Sequence, residues 1–388
     1  MVLPGDDVPV RDVDPAVVRG VRRLAIIAVV AGAISICAPG TAGHAATGSH
    51  TGTLHAASHL LGVGLASWES AYTFSRWVTY SAVLLAAGGA LFLTAIHDRK
   101  AAERRLLAVV VTGAALVGVV GTVAGVFLHN IEVAGIGGAA ARDIALMMAL
   151  LPTPDGIASI VRVGGLALLL TAVPATLSGR RRGGALVAGG GVAVLSFAMA
   201  GHTVTAEPRW LALVADACHT IAASMWFGGL VLLGIVLHRR ADSSDPVAGA
   251  RMVARFSAWA TGAVLMVAVA GLALAWVEVR SLRVLFAEPY GWTLAAKTMI
   301  VAAVLLVGAY NNRILVPAIR RAAPEDWSPA WRRLRWTVRI EVIGLVAALA
   351  ATAVLVDSPP PRPHVEEPVE HAGALDVEHV GFGKKVPR

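Results

Sequence analysis

The sequence predicts an all-α fold, a polytopic bundle of transmembrane helices, on three observations. Of 388 residues, 56% are apolar and 15% charged, with a mean hydropathy of +0.69, which leaves too little polar surface to clothe soluble domains. The apolar residues gather into nine runs, near 22–38, 74–96, 106–128, 157–177, 184–200, 210–237, 256–277, 292–315 and 338–356. Most are close to the roughly 20 residues that a helix needs to cross a hydrocarbon core of about 30 Å. Basic clusters then occupy every second connection between the runs.

The first run has two readings. With Arg11, Arg19, Arg22 and Arg23 before it, it is a first transmembrane helix preceded by a cytoplasmic segment, 1–21. Alternatively it is the apolar part of a secretory signal that ends at the small residues around Gly43-His44-Ala45-Ala46, whose cleavage leaves eight helices. Residues 39–73 are expected to be an extracytoplasmic loop. His55 and His59 stand there at i, i+4, a spacing that lets two imidazoles of a surface helix capture one metal ion, against the plainer reading of a solvated linker.

The next eight runs form the membrane domain, 74–356. Arg99, Lys100, Arg104 and Arg105 separate the second and third runs, and Arg180, Arg181 and Arg182 follow the fourth. Arg239, Arg240, Arg251 and Arg255 follow the sixth, and Arg313, Arg320, Arg321, Arg332, Arg333, Arg335 and Arg339 precede the ninth. Lys and Arg are retained on the cytoplasmic side, so the N-terminus is expected inside and the C-terminus outside a bacterial cytoplasmic membrane. Topology thereby accounts for most of the surplus of 33 basic over 25 acidic residues, and no nucleic-acid partner is needed. Cys37 and Cys218 lie far apart in apolar runs, which excludes a disulfide framework or a Cys-rich zinc site. Gly121 and Gly125, at i, i+4, suit close helix approach. From Asp357 the Pro-rich, acidic tail, 357–388, is too polar to build a core and is expected to be a disordered extracytoplasmic segment.

Ionisable side chains inside spans are costly and mark pathways, cavities or buried pairs. Asp216 and His219 share one face of the sixth span at i, i+3, and Met199 and His202 stand at the same spacing at the outer end of the fifth. Lys297 lies about one and a half turns inside the eighth span, and His129 closes the outer end of the third. Imidazole with thioether suits a soft or borderline metal such as copper better than calcium or magnesium. The plainer reading pairs Asp216 with Lys297 as a structural ion pair and makes His219 a hydrogen-bonding group of the bundle. Cys218 projects about 100° away from His219 around the helix, which disfavours a shared site. All but His97 and His238 of the twelve histidines fall outside or in outer membrane halves. No triad or carboxylate pair suggests catalysis, so the protein is not expected to be an enzyme.

Gly201-His202, Asp216-Ala217-Cys218-His219, Trp226-Phe227-Gly228-Gly229, Arg255-Phe256-Ser257, Tyr290-Gly291, Lys297, Asn312-Arg313 and Glu341 together resemble the copper resistance protein D (CopD-like) family of integral membrane proteins. Upstream, Arg76, Tyr80, Gly88, Phe92, Thr153, Gly156 and Arg162 look like its N-terminal pattern. The resemblance covers roughly 74–356 and implies an eight-helix membrane domain that takes copper across the cytoplasmic membrane, with a separate periplasmic partner similar to copper resistance protein C (CopC-like). It makes His202 and His219 the first choices for metal contact, with Met199, Asp216 and Cys218 second and His129 in reserve.

The expected function is therefore copper transport, as an uptake permease that contributes to copper homeostasis, with Cu(I) the favoured cargo. The chain has no phosphate-binding loop of the G-x-x-x-x-G-K-[ST] type, so nothing points to nucleotide-driven pumping. Two alternatives stay open: a haem-binding electron-transfer protein with two of His129, His202 and His219 as axial ligands, and a factor that delivers copper to a membrane oxidase.

Overall fold

The computed structural model describes residues 68–97, 101–134, 143–175, 181–201, 206–240, 246–278, 289–321 and 327–357. The first apolar run, the loop with His55 and His59, His202 and the acidic tail lie outside the described residues. The described residues form helices and no strand, as the composition requires: in lipid a helix satisfies its own backbone polar groups.

Helix α1, Trp68–Leu91, continues as a π turn, Phe92–Ile96, and α2 is Ala101–Ala134. A short surface helix, α3 (Ile144–Leu150), is capped by Asp143, whose carboxylate accepts from the amides of Ala145 at 2.9 Å and Leu146 at 3.1 Å. Helix α4, Pro154–Ala175, starts with proline at a position where the missing N–H costs nothing. Then come α5 (Arg181–Leu195, closed by a 3-10 turn, Ser196–Met199), α6 (Arg209–Arg239) and α7 (Pro246–Glu278). The last are α8 (Pro289–Tyr310, with a π turn at Asn311–Leu315), α9 (Val316–Arg321) and α10 (Trp327–Asp357). Among the described residues, seven helices are long and apolar enough to cross a membrane, and Gly183–Met199 is a shorter apolar helix. These coincide with the eight runs of the membrane domain.

Several helices outrun their apolar runs. Helix α1 begins at Trp68, α7 at Pro246 and α10 at Trp327, each several residues before the hydropathy rises. The apolar run marks only the part that meets hydrocarbon. The added turns carry Ser70 and Thr73 in α1 and Arg332, Arg333 and Arg335 in α10, which helical hydrogen bonding tolerates in a polar interface.

Helices α1 and α6 are the centre: α1 packs on α2, α5, α6 and α10, and α6 packs on α1, α7 and α10. Helices α4 and α5 pair on one flank, while α8 packs chiefly on α10 and makes no extended contact with α7. Glycine permits the tightest crossings. A Cβ on Gly228 would lie 2.8 Å from the Cα of Gly88 and 2.9 Å from the oxygen of Leu84, and one on Gly165 would lie 2.6 Å from the amide nitrogen of Ala193. Gly121 meets Thr79 across the α1–α2 contact, and Ser75 donates to its carbonyl at 3.2 Å.

One face of the bundle gathers the ends that carry basic residues. Arg104 donates to the oxygen of Leu93 and Arg255 to that of Ile96, at 3.4 and 3.0 Å, so two cations sit on the carbonyl end of α1. Arg240 of α6 and His97 both reach Glu103 at the start of α2.

Candidate metal site

His219 lies in the N-terminal half of α6, and its ring faces α7. Its Nδ1 is 3.2 Å from the main-chain oxygen of Val267. A carbonyl only accepts, so Nδ1 carries the hydrogen, and Nε2 of the neutral ring keeps its lone pair. This is the arrangement by which a backbone carbonyl orients a metal-binding imidazole. Gly271, one turn further along α7, keeps the ring's flank clear: a Cβ there would lie 3.4 Å from Cε1. The ammonium of Lys297 on α8 is within electrostatic reach of the imidazole. A positive charge beside the site opposes a bound cation, and Asp216, one turn before His219 on α6, has the charge to balance it.

The other predicted residues are placed as follows. Asp216 and Cys218 are both half-buried on α6, and Cys218 is a free thiol. Met199 ends the 3-10 turn of α5 that packs on α6, and is 40% exposed. Gly201 has a φ of +77°, left-handed backbone that suits glycine, and His202, the next residue, lies outside the described residues. His129 belongs to a different cluster: its ring stacks on Tyr72 of α1 at 5.6 Å. Among the described residues no three of His, Cys, Asp and Glu gather around a point that could hold a metal.

Residues 66–210 match the copper resistance protein D-like N-terminal domain, and residues 250–355 match copper resistance protein D. The chain belongs to the copper resistance protein D family. Most of α6, with His219, falls between the two matched regions. The chain is also similar to copper transport protein CutJ of Bacillus subtilis (strain 168), at 27% identity over 183 residues, which is 47% of this chain and 32% of that protein. The match thus spans about a third of the relative's length. No solved structure matches.

Within this copper resistance protein D member, several residues of the N-terminal pattern have structural work. Thr153 caps α4, its hydroxyl accepting from the amide of Gly156 at 3.2 Å and donating to the oxygen of Leu150 at 2.6 Å. Gly156 leaves no room for a side chain, since a Cβ would sit 2.7 Å from the Cα of Leu151. Arg76 donates to the hydroxyl of Tyr72 at 2.7 Å and lies over its ring. Arg162 donates to Ser196 at 3.0 Å and lies over Phe197, whose ring meets Tyr80 edge-on. These contacts join α1, α4 and the 3-10 turn that closes α5.

Sequence reasoning missed one arrangement. At the α8–α10 contact, Asn311 donates to the carboxylate of Glu341, and the hydroxyl of Thr337 donates to the Asn311 oxygen at 2.6 Å. Glu341 had entered only through the family resemblance, and its place as an acid inside an apolar run is the signal that could have found it. Asn311 and Thr337 carry no such signal, because neutral polar residues are common in spans.

Proposed function

We propose that the protein carries copper inward across the cytoplasmic membrane, with its N-terminus inside, and that His219 is a copper ligand in the outer half of the bundle. The observation that carries the reading is the hydrogen bond from Nδ1 of His219 to the carbonyl of Val267, which leaves Nε2 as a ligand atom. Membership of the copper resistance protein D family, and the likeness to a relative named as a copper transport protein, supply the choice of metal. His202 and Met199, at the α5 end that leads to α6, are the next donors, and their nitrogen and sulfur chemistry favours Cu(I). A cation moving into a negative interior gains about 2.3 kcal/mol per charge for each 100 mV, so the membrane potential is a sufficient drive. A separate periplasmic protein of the copper resistance protein C type is the proposed donor.

Copper uptake into proteoliposomes tests this. His219→Ala is expected to cut saturable Cu(I) uptake roughly tenfold or more, the consequence of losing 1.4 kcal/mol or more of binding, and His202→Ala to act in the same direction. Uptake by His219→Ala equal to that of the wild type would remove His219 from the path.

A further inference from the structure

Glu341 falls at the middle of the 31-residue α10 and is 4% exposed. The groups it meets are neutral. From the π turn of α8 the Asn311 amide donates to Oε1, and Gly308, one turn earlier, stands beside Oε2, where a Cβ would lie 3.5 Å away.

The charged and titratable groups of the surrounding elements stand elsewhere. On α8, Lys297 is eleven residues from Gly308, about 16 Å of helix at 1.5 Å per residue, and Arg313 is exposed. Helix α1 presents Trp77, whose indole donates to the oxygen of Val346 at 3.2 Å, and its Arg76 is turned to Tyr72. On α6, His219 is engaged with α7 and Asp216 lies one turn before it. Helix α9 offers Arg321 at its exposed end, and Tyr310 at the end of α8 is 39% exposed. On α10 itself Arg332, Arg333 and Arg339 are exposed, and Arg335 is half-buried six residues before Glu341, about 9 Å along the helix.

A carboxylate enclosed among neutral groups costs several kcal/mol, so charge at this position has to be balanced by a proton or by a passing cation. Oxygen is a poor match for Cu(I), which makes the proton the partner of this carboxyl. The surroundings suit that role. Thr337 fixes the Asn311 amide with its N–H groups toward Glu341, and such an amide donates to the carbonyl oxygen of a carboxylic acid as well as to a carboxylate. The π turn at Asn311–Leu315 is a form of backbone often found at functional sites.

We propose that Glu341, held by Asn311 and Thr337, is a proton-binding site midway along the α8–α10 contact, whose proton is exchanged for the charge of a passing copper ion. The O–H bond of the carboxylic acid breaks, the proton goes to water, and the carboxylate left behind balances the cation until a proton returns. The inference rests on the copper-transport reading and adds a coupled ion to it.

Infrared difference spectroscopy of the purified full-length protein is the direct test. A protonated-carboxyl band is expected in the wild type, absent from Glu341→Gln, and lost when Cu(I) is added. Glu341→Gln keeps an acceptor for Asn311 and removes the exchangeable proton. Should that variant not survive purification, Asn311→Leu assigns the band by shifting it. In proteoliposomes with a pH dye inside, wild-type Cu(I) uptake is expected to move protons, and uptake by Glu341→Gln to move none. A band that persists under Cu(I) would overturn the inference, as would wild-type proton movement in Glu341→Gln. Absence of copper uptake by the wild type would overturn the transport reading instead, and the infrared response to Cu(I) would still decide the role of Glu341.

Discussion

Gly88→Ala is expected to destabilise the bundle, although alanine is the better helix former by about 1 kcal/mol. Helices α1 and α6 touch through their backbones here. A Cβ on Gly88 would overlap the carbonyl of Ser224 and stand 3.0 Å from the Cα of Gly228. Neither is the flexible end of a side chain, so relief requires the two central helices to move apart. Each packs on several neighbours, and the separation is transmitted to them. Overpacking of this kind costs roughly 1–3 kcal/mol and more where backbone must shift, which outweighs the propensity gain. Thermal unfolding in detergent measures it, with Gly164→Ala as control because nothing lies within 4 Å of a Cβ there. A lowered midpoint for Gly88→Ala beside an unchanged or raised one for Gly164→Ala is the expected result. Equal midpoints would show that the crossing has slack.

Glu103→Ala is expected to cost about 3 kcal/mol. Arg240 holds Glu103 with two nitrogens, at 2.8 and 2.6 Å, and its side chain is 4% exposed. The pair joins the end of α6 to the start of α2, and His97 adds a third contact at 3.3 Å. Removing the carboxylate takes from an enclosed guanidinium the counter-charge that it holds with two nitrogens, for which roughly 3–5 kcal/mol is typical. The lower end applies because Glu103 itself is 16% exposed. Replacing both residues, Glu103→Ala with Arg240→Met, is expected to cost less than the sum of the single changes, since no stranded charge remains. Additive losses in thermal midpoint would mean that the two side chains do not act as a pair.

How much of this was readable beforehand differs from residue to residue. The eight runs of the membrane domain appear as eight apolar helices because the requirement to cover about 30 Å of hydrocarbon is written residue by residue. The ends were less legible: the start of α10 at Trp327 is amphipathic and basic, and helical hydrogen bonding does not depend on hydropathy. Among site residues, Asp216, His219 and Lys297 stood out as charge or imidazole inside apolar runs, and Glu341 only as part of the family resemblance. Their roles did not follow from that. His219, already a ligand candidate, gained a defined donor nitrogen only through a carbonyl 48 residues away, and Glu341 gained its partner from a turn 30 residues earlier.

Sequence alone determined the fold class and the spans, and family motifs pointed to copper, because hydropathy and short spacings are local properties. Tertiary structure decided which polar groups meet. It put α1 and α6 in contact through Gly88 and Gly228, aimed His219 at α7, set His129 against Tyr72, and enclosed Glu341 with Asn311. Such contacts depend on how helices rotate and cross, and crossing is set by the shapes of side chains distant in sequence.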